Sequence, residues 1–273
     1  MQLSIEIRSA VDDFMKGGLG FLVAGLKSRF SKGATTTVRL PDCIDAVVRT
    51  RQSDFSTLRQ TLRDKEYAFP EHVIRKISRY QDLLRQNGYE PVIIDAGANI
   101  GAASIWFRKQ FPEIKIIAIE PDDGNVAILR QNIECLSDTH LMHAALGSTR
   151  GNGAVIVADR GWTAMVARGE GGCPIVTIAD ALATIPAARP LIVKIDIEGF
   201  EEDLFARNLG WLDEVGVVII EPHDWMLPDQ ATSRNFQRAF GEREFDLFIR
   251  GENLIYVRRT ESMDGSVDTV RSE

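Results

Sequence analysis

Four near-continuous apolar runs, each ending in an acid, constrain this chain more than anything else in it. They are "VIID" (92–95), "IIAIE" (116–120), "LIVKID" (191–196) and "VVIIE" (217–221). A strand without polar alternation is one covered on both faces, as in a parallel sheet. Between the runs lie stretches with apolar residues at helical spacing, "GAASIWFRKQF", "GNVAILRQNIECL" and "GFEEDLFARNL". Such alternation predicts an α/β fold with helices on both sides of the sheet. "HLMHAAL" adds a strand, and a helix is expected near 234–240. "FDLFIR" and "NLIYVRR", joined by a short turn at Gly251, read as a closing hairpin. A parallel sheet closed by a late antiparallel pair points away from a plain dinucleotide-binding fold.

Residues 1–88 have a different texture and are expected to form a helical cap or lid, with a dimer contact as the other reading. In "EHVIRKISRYQDLLRQNGYE" the residues Val73, Ile74, Ile77, Tyr80, Leu83 and Leu84 form one stripe, with Pro70 ahead of it and Gly88 placed to end it. Residues 89–259 are expected to form the sheet domain, and 260–273, poor in apolar residues, a disordered tail. Residues 147–174 read as a polar, Gly-rich insert with a short strand at "GAVIVA" and a flexible "RGEGGCP".

In an open α/β sheet the ligand crevice lies beyond the carboxyl ends of the strands, at the switch in strand order. Asp95, Glu120, Asp196 and Glu221 all stand at such ends, and an acidic crevice calls for positive charge, hydroxyls or a metal to meet it. The first strand runs into Asp95-Ala96-Gly97-Ala98-Asn99-Ile100-Gly101. A dinucleotide site wants glycine where Asn99 stands, and no phosphate-loop Gly-Lys-Ser/Thr follows. The turn suits a ligand without phosphate but with a positive centre and an amino group. Glu120, about 25 residues further on, can accept hydrogen bonds from both ribose hydroxyls. A nucleoside with a charged amino-acid arm answers to both acids, and S-adenosylmethionine fits that description.

The order and spacing of "IIDAGANIGAAS", "AIEPDDGNVAILRQNI", "HAALG", "TIADAL", "LIVKIDIEGFEEDLF" and "VVIIEP" resemble the FkbM-type methyltransferases, over roughly residues 90–222. The resemblance implies a seven-stranded Rossmann-like class I sheet, S-adenosylmethionine as cofactor, and methyl transfer to a hydroxyl of a sugar, glycan or secondary metabolite. It also implies that Asp95, Gly97, Ala98, Asn99 and Gly101 hold the methionine arm and Glu120 the ribose. Pro121, Asp122, His143 and Ala144 would line the adenine side.

Asp196 and Glu198 are two apart, so on a continued strand they share a face, with Lys194 one step earlier. One of them could remove the acceptor's hydroxyl proton as the oxygen attacks. His223, in "EPHDW", has an ordinary pKa suited to the same task. Alternatively Asp196, Glu198 and Glu221, with His223 or Asp224 completing the set, would hold a divalent ion such as magnesium. Trp162, Trp211 and Trp225 are candidates to flank an acceptor ring, Trp162 foremost. Transfer to nitrogen or carbon ranks lower, because "DIEG" lacks the Asn/Asp-Pro-Pro-aromatic run. A non-catalytic binding protein on the same fold is the remaining alternative.

Net charge is −7, without a long basic run, which argues against nucleic acid as a partner. Cys43, Cys135 and Cys173 are scattered and odd in number, so no disulfide framework is expected. "MQLSIEIRSAVDDF" places acids where a signal peptide wants positive charge, and no apolar run is long enough to span a bilayer. A soluble, cytoplasmic protein is the expectation.

Overall fold

The computed structural model describes residues 2–30, 34–40, 45–157 and 164–259. Trp162, Cys43 and the tail from residue 260 lie outside them. A seven-stranded sheet forms the centre. Its strands are β3 (Glu90–Ala96), β4 (Lys115–Glu120), β5 (Thr139–His143), β10 (Ala188–Ile195), β11 (Val217–Ile220), β12 (Phe245–Arg250) and β13 (Asn253–Arg258). They are ordered β12-β13-β11-β10-β3-β4-β5. All neighbours pair in parallel except β13, which is antiparallel to both β11 and β12. The order reverses between β3 and β10, where Asp95 pairs with Lys194. The α/β class and the closing hairpin are as the sequence predicts.

Side chains alternate across the sheet, so each apolar run fills two cores. Val92, Ile94, Ile117, Ile119, Val193 and Ile195 face α6 (Ile178–Leu182), α7 (Glu201–Leu204) and α8 (Arg234–Gly241). Ile93, Ile116, Ile192 and Val217 face α3 (Glu71–Gln86) and α4 (Ala102–Gln110). Each fully buried isoleucine or phenylalanine contributes about 1.5–3 kcal/mol. The α3 stripe buries Val73, Ile77, Tyr80 and Leu84. Gly88, at φ +80°, ends that helix, and the Tyr89 N–H returns to the Leu84 carbonyl.

The first 88 residues are not purely helical. After α1 (Gln2–Phe30), interrupted at Gly18, come β1 (Thr35–Arg39) and β2 (Asp45–Arg49), an antiparallel hairpin. Val38, Ala46 and Val48 pack it on Ile128 and Leu129 of α5 (Asp123–Ile133). α2 (Asp54–Leu58) then runs into a π-helical turn, Arg59–Arg63. The Gly-rich insert also departs from expectation. β7 (Gly151–Val157), β8 (Ala164–Arg168) and β9 (Cys173–Val176) join β6 (Ala145–Leu146) in a second, four-stranded sheet. "HLMHAAL" therefore divides at Ala144 between two sheets. No helix among the described residues is long and apolar enough to cross a membrane.

Candidate active site

The turn after β3 is built by conformation. Gly97 lies at φ +72°, and a Cβ there would sit 1.7 Å from the Asp196 carbonyl oxygen, so only glycine lets the β3 and β10 loops touch. Asn99, at φ +49°, takes a left-handed geometry that asparagine tolerates. The Gly97 and Ala98 N–H groups both donate to the Ile119 carbonyl, which ties the turn to β4. Gly101, at φ +89°, brings α4 against Leu129.

Glu120 is buried at the end of β4 and held by three donors. The Asn99 N–H lies 2.8 Å from Oε2; the Asp122 N–H and Asn125 Nδ2 lie 3.0 and 3.1 Å from Oε1. Burial raises its pKa above the ordinary carboxylate value, against the pull of those donors. Gly97, Asn99, Glu120, Pro121, Asn125 and Ala144 line one cavity. Asn125 was not singled out from the sequence. Its signal is the Asp122-x-x-Asn125 spacing at a helix start, where the Asp122 side chain accepts the Asn125 N–H at 2.8 Å.

Several residues expected at the ligand have other partners in the structure. Asp95 is wholly buried beneath the turn, where Ser104 Oγ donates to its Oδ2 at 2.7 Å and Lys194 Nζ stands 3.4 Å from its Oδ1. The register places it on the α4 face of the sheet, where its partners are Ser104 and Lys194. The Asp122 side chain is spent on capping α5. His143 points outward, with Nε2 3.2 Å from the Pro121 carbonyl oxygen and 3.3 Å from Asp123. Ala98 packs into the core beside α4. Gly101 serves packing alone.

A second group of charges gathers at the ends of β10 and β11. Lys194 Nζ lies 3.3 Å from Asp196 and donates to the Gly97 carbonyl at 2.8 Å. Burial works to lower its pKa, but Asp196, Tyr67 and Asp95 hold it well above the ordinary lysine value. The strand does not continue to Glu198 as expected: β10 stops at Ile195, and Glu198 takes φ +54° ahead of Gly199 at φ +95°. The loop nevertheless carries both carboxylates to the same place. His223, 2% exposed, has Nε2 at 3.4 Å from Glu198, 3.6 Å from Asp196 and 3.8 Å from Glu221.

Glu201 fixes that arrangement. Fully buried, it faces His223 Nδ1 at 2.9 Å and accepts the Ile197 N–H at 3.3 Å. The sequence held only a faint sign of it, an acid three residues after Glu198 at the start of a helix. Burial alone would lower the His223 pKa, but Glu201, Asp196 and Glu198 raise it to about 9. The surrounding carboxylates thus favour the imidazolium form of the ring, which has no lone pair to accept a proton. Burial and the charge of Asp196 push Glu198 up to about 7 and Glu221 to about 8. A base with a pKa near the working pH is the efficient one, and Glu198 meets that condition.

Asp196, Glu221 and His223 each offer a donor atom within 4.8 Å of the others. Two carboxylates and an imidazole suit a hard or borderline divalent ion, and Glu201 on Nδ1 is the support such a histidine needs. Compared with the sequence expectation, His223 takes the place of Glu198 in the set. Asp224 lies apart, with its carboxylate on Thr232 and Ser233.

A cleft of about 840 Å³ adjoins this group, lined among others by Glu66, Tyr67, Glu221, His223 and Trp225. It shares Asn99, Asp196 and Glu198 with the narrower cavity, about 50 Å³, beside the glycine turn. A nucleoside entering the narrow one must widen it. Trp211 is packed in the core, whereas Trp225 is 72% exposed.

The family model described as "Methyltransferase FkbM domain" matches residues 95–247, more than half of the chain. Methyltransferase sdnD of Sordaria araneosa is 36% identical over 64 residues, 22% of this chain and 25% of that protein; the match thus spans a quarter of the relative's length. Among solved structures, a methyltransferase from Geobacter sulfurreducens aligns with 75% of this chain and 88% of its own at 17% identity and a TM-score of 0.35. The O-methyltransferase TomG from Streptomyces achromogenes, solved with SAM, covers 75% and 89% at 15% identity and a TM-score of 0.39. The matched span opens at Asp95, beside the glycine turn, and takes in Glu120, Asp196, Glu198, Glu201 and His223. This chain belongs to the FkbM methyltransferase family.

Proposed function

We propose that the protein is an S-adenosylmethionine-dependent O-methyltransferase acting on a hydroxyl of a sugar, glycan or secondary metabolite. The observation that carries this reading is the meeting of the two cavities at Asn99, Asp196 and Glu198. Bound beside the glycine turn, S-adenosylmethionine would supply an electrophilic methyl group on a positively charged sulfur. Glu120, positioned by Asn125, would accept the ribose hydroxyls, and Gly97 and Ala144 leave room for the ligand's body. Asp196 places negative charge where the two spaces join. Glu198 takes the proton of the acceptor hydroxyl, which contributes about 10²–10⁴-fold. The imidazolium of His223 holds the Asp196 and Glu198 carboxylates in position. A hydroxyl fits this arrangement better than an amine, because a hydroxyl must lose its proton to a base as it attacks.

Transfer of tritium from methyl-labelled S-adenosylmethionine to a panel of hydroxylated acceptors, run beside calorimetry with S-adenosylhomocysteine, tests the reading. Binding of one S-adenosylhomocysteine per chain, with label appearing as a methyl ether, is the expected result. A folded protein that binds no S-adenosylhomocysteine would overturn it.

The donor set at Asp196, Glu221 and His223 favours a second reading of this cluster, in which a divalent ion beside the acceptor replaces the imidazolium. A bound ion would lower the hydroxyl pKa and require His223 to be neutral. Manganese added to the chelated protein is expected to bind at one site by electron paramagnetic resonance, and Glu221→Gln to weaken it at least tenfold. Equal binding by the variant would place the ion elsewhere.

A further inference from the structure

The wide cleft has a chemical character that the reaction does not require. Its described lining contains five carboxylates, Glu66, Asp196, Glu198, Glu221 and Glu252, and no lysine or arginine. His223 is the one cationic group on that lining, and Lys194 lies under its floor against Asp95 and Asp196. Glu198 and Glu221 are partly protonated near neutrality, yet the acids on this lining still outnumber its one cation, so binding an anion here would set like charges together in a partly desolvated space, a device by which proteins reject wrong partners.

The lining also carries neutral hydrogen-bonding groups. Ser53, Thr57, Gln60 and Thr61 supply them, all from the segment ahead of the sheet domain. Ser53 stands at the N-cap of α2, yet its hydroxyl makes no capping bond. Gln60 and Thr61 lie in the π-helical turn, a widened geometry that recurs at functional sites. The segment is held from behind. Buried Asp13 of α1 receives Arg59 Nε at 2.7 Å and Arg63 Nη1 at 2.6 Å, and Arg49 pairs with Asp54 at 2.8 Å. Trp225, Met226 and Leu227 line the same cleft. An exposed indole in one cleft with several hydroxyl and amide groups suits a ring with apolar C–H faces and a hydroxylated rim.

We propose that this cleft takes a non-anionic, polyhydroxylated ring, seated against Trp225 and met by Ser53, Thr57, Gln60 and Thr61, and that it turns away acceptors bearing phosphate or carboxylate. The inference rests on the methyltransferase reading and adds to it the charge class of the acceptor and the part of the chain that reads it.

The test uses the full-length protein and matched acceptor sets: hexoses and phenolic glycosides as the neutral sugar, the amino sugar, the sugar phosphate and the uronic acid. Tritium transfer gives kcat/KM, and calorimetry gives the S-adenosylhomocysteine affinity. The neutral or amino members are expected to exceed their anionic partners at least tenfold. Trp225→Ala is expected to raise KM at least tenfold with S-adenosylhomocysteine affinity unchanged. Glu252→Lys, a surface change that leaves the fold intact, is expected to narrow the gap between neutral and anionic members at least threefold. An anionic member used as well as its neutral partner overturns the proposal, as does a panel in which no neutral or amino member is turned over. A Glu252→Lys protein with an unchanged ratio also counts against it. Absent S-adenosylhomocysteine binding would instead sink the methyltransferase reading beneath it.

Discussion

Glu198 concentrates the chemistry in one side chain. Its position in a left-handed turn before Gly199 points the carboxyl at both cavities, and its raised pKa of about 7 makes it half-charged near neutrality. Glu198→Gln is expected to lower kcat about 10²–10⁴-fold while S-adenosylhomocysteine still binds. In the wild type kcat rises with pH through about 7, and the variant loses that rise. The same cluster governs stability. His223 has a folded value of about 9 against an ordinary 6.5. Its contribution is full below about 6.5 and is lost as pH climbs through about 9. Glu198 and Glu221, raised from 4.5 to about 7 and about 8, act in the same direction. The metal-free protein should therefore melt at a lower temperature at pH 9 than at pH 6 by calorimetry. His223→Asn should flatten the upper part of that slope; an undiminished slope would assign it to other groups.

At the scale of elements, one asparagine joins the N-terminal hairpin to the glycine turn. Asn132 of α5 accepts the Val47 N–H at 2.6 Å and donates to the Val47 and Ile100 carbonyls at 3.0 and 2.7 Å. Asn132→Ala leaves those groups buried without partners. It should cost about 2–3 kcal/mol in urea unfolding and weaken S-adenosylhomocysteine binding through the turn. A loss under about 0.5 kcal/mol would mean that water replaces the side chain. What the sequence disclosed at this scale follows from physics. The apolar runs of β3, β4, β10 and β11 are legible because burial on both faces leaves no other composition available. The Gly97 turn is legible because only glycine fits its contacts. The hairpin at 35–49 was missed because its strands are five residues long and gain their burial only by packing on α5. The sheet at 151–176 hid behind glycines and polar residues. The burial of Asp95 beneath the turn is not legible because strand register, which sets the face a side chain occupies, is not written locally; Lys194 stands beside Asp196 as its spacing implies, but its contacts with Asp95 and Gly97, like that of Glu201 with His223, join residues distant in the chain. Asp122 and His143 were placed correctly along the chain, but capping and an outward rotamer spend their side chains elsewhere.

For the molecule as a whole, the reversal of strand order between β3 and β10 sets the Gly97 turn against the Asp196 carbonyl. Everything functional follows from that contact: a narrow cavity on the Glu120 side, a wide one on the His223 side, and a shared edge at Asn99, Asp196 and Glu198. The segment before β3 completes the wide cavity, so the proposed acceptor would be met by parts of the chain more than 150 residues apart, from Ser53 to Trp225. The most direct measurement is a crystal structure with S-adenosylhomocysteine bound. The account predicts ribose hydroxyls on Glu120 and the sulfur facing the edge between Asn99 and Glu198. Density for the ligand in another cavity, such as the one beside Trp211 and Arg189, or with its sulfur turned away from Glu198, would contradict it.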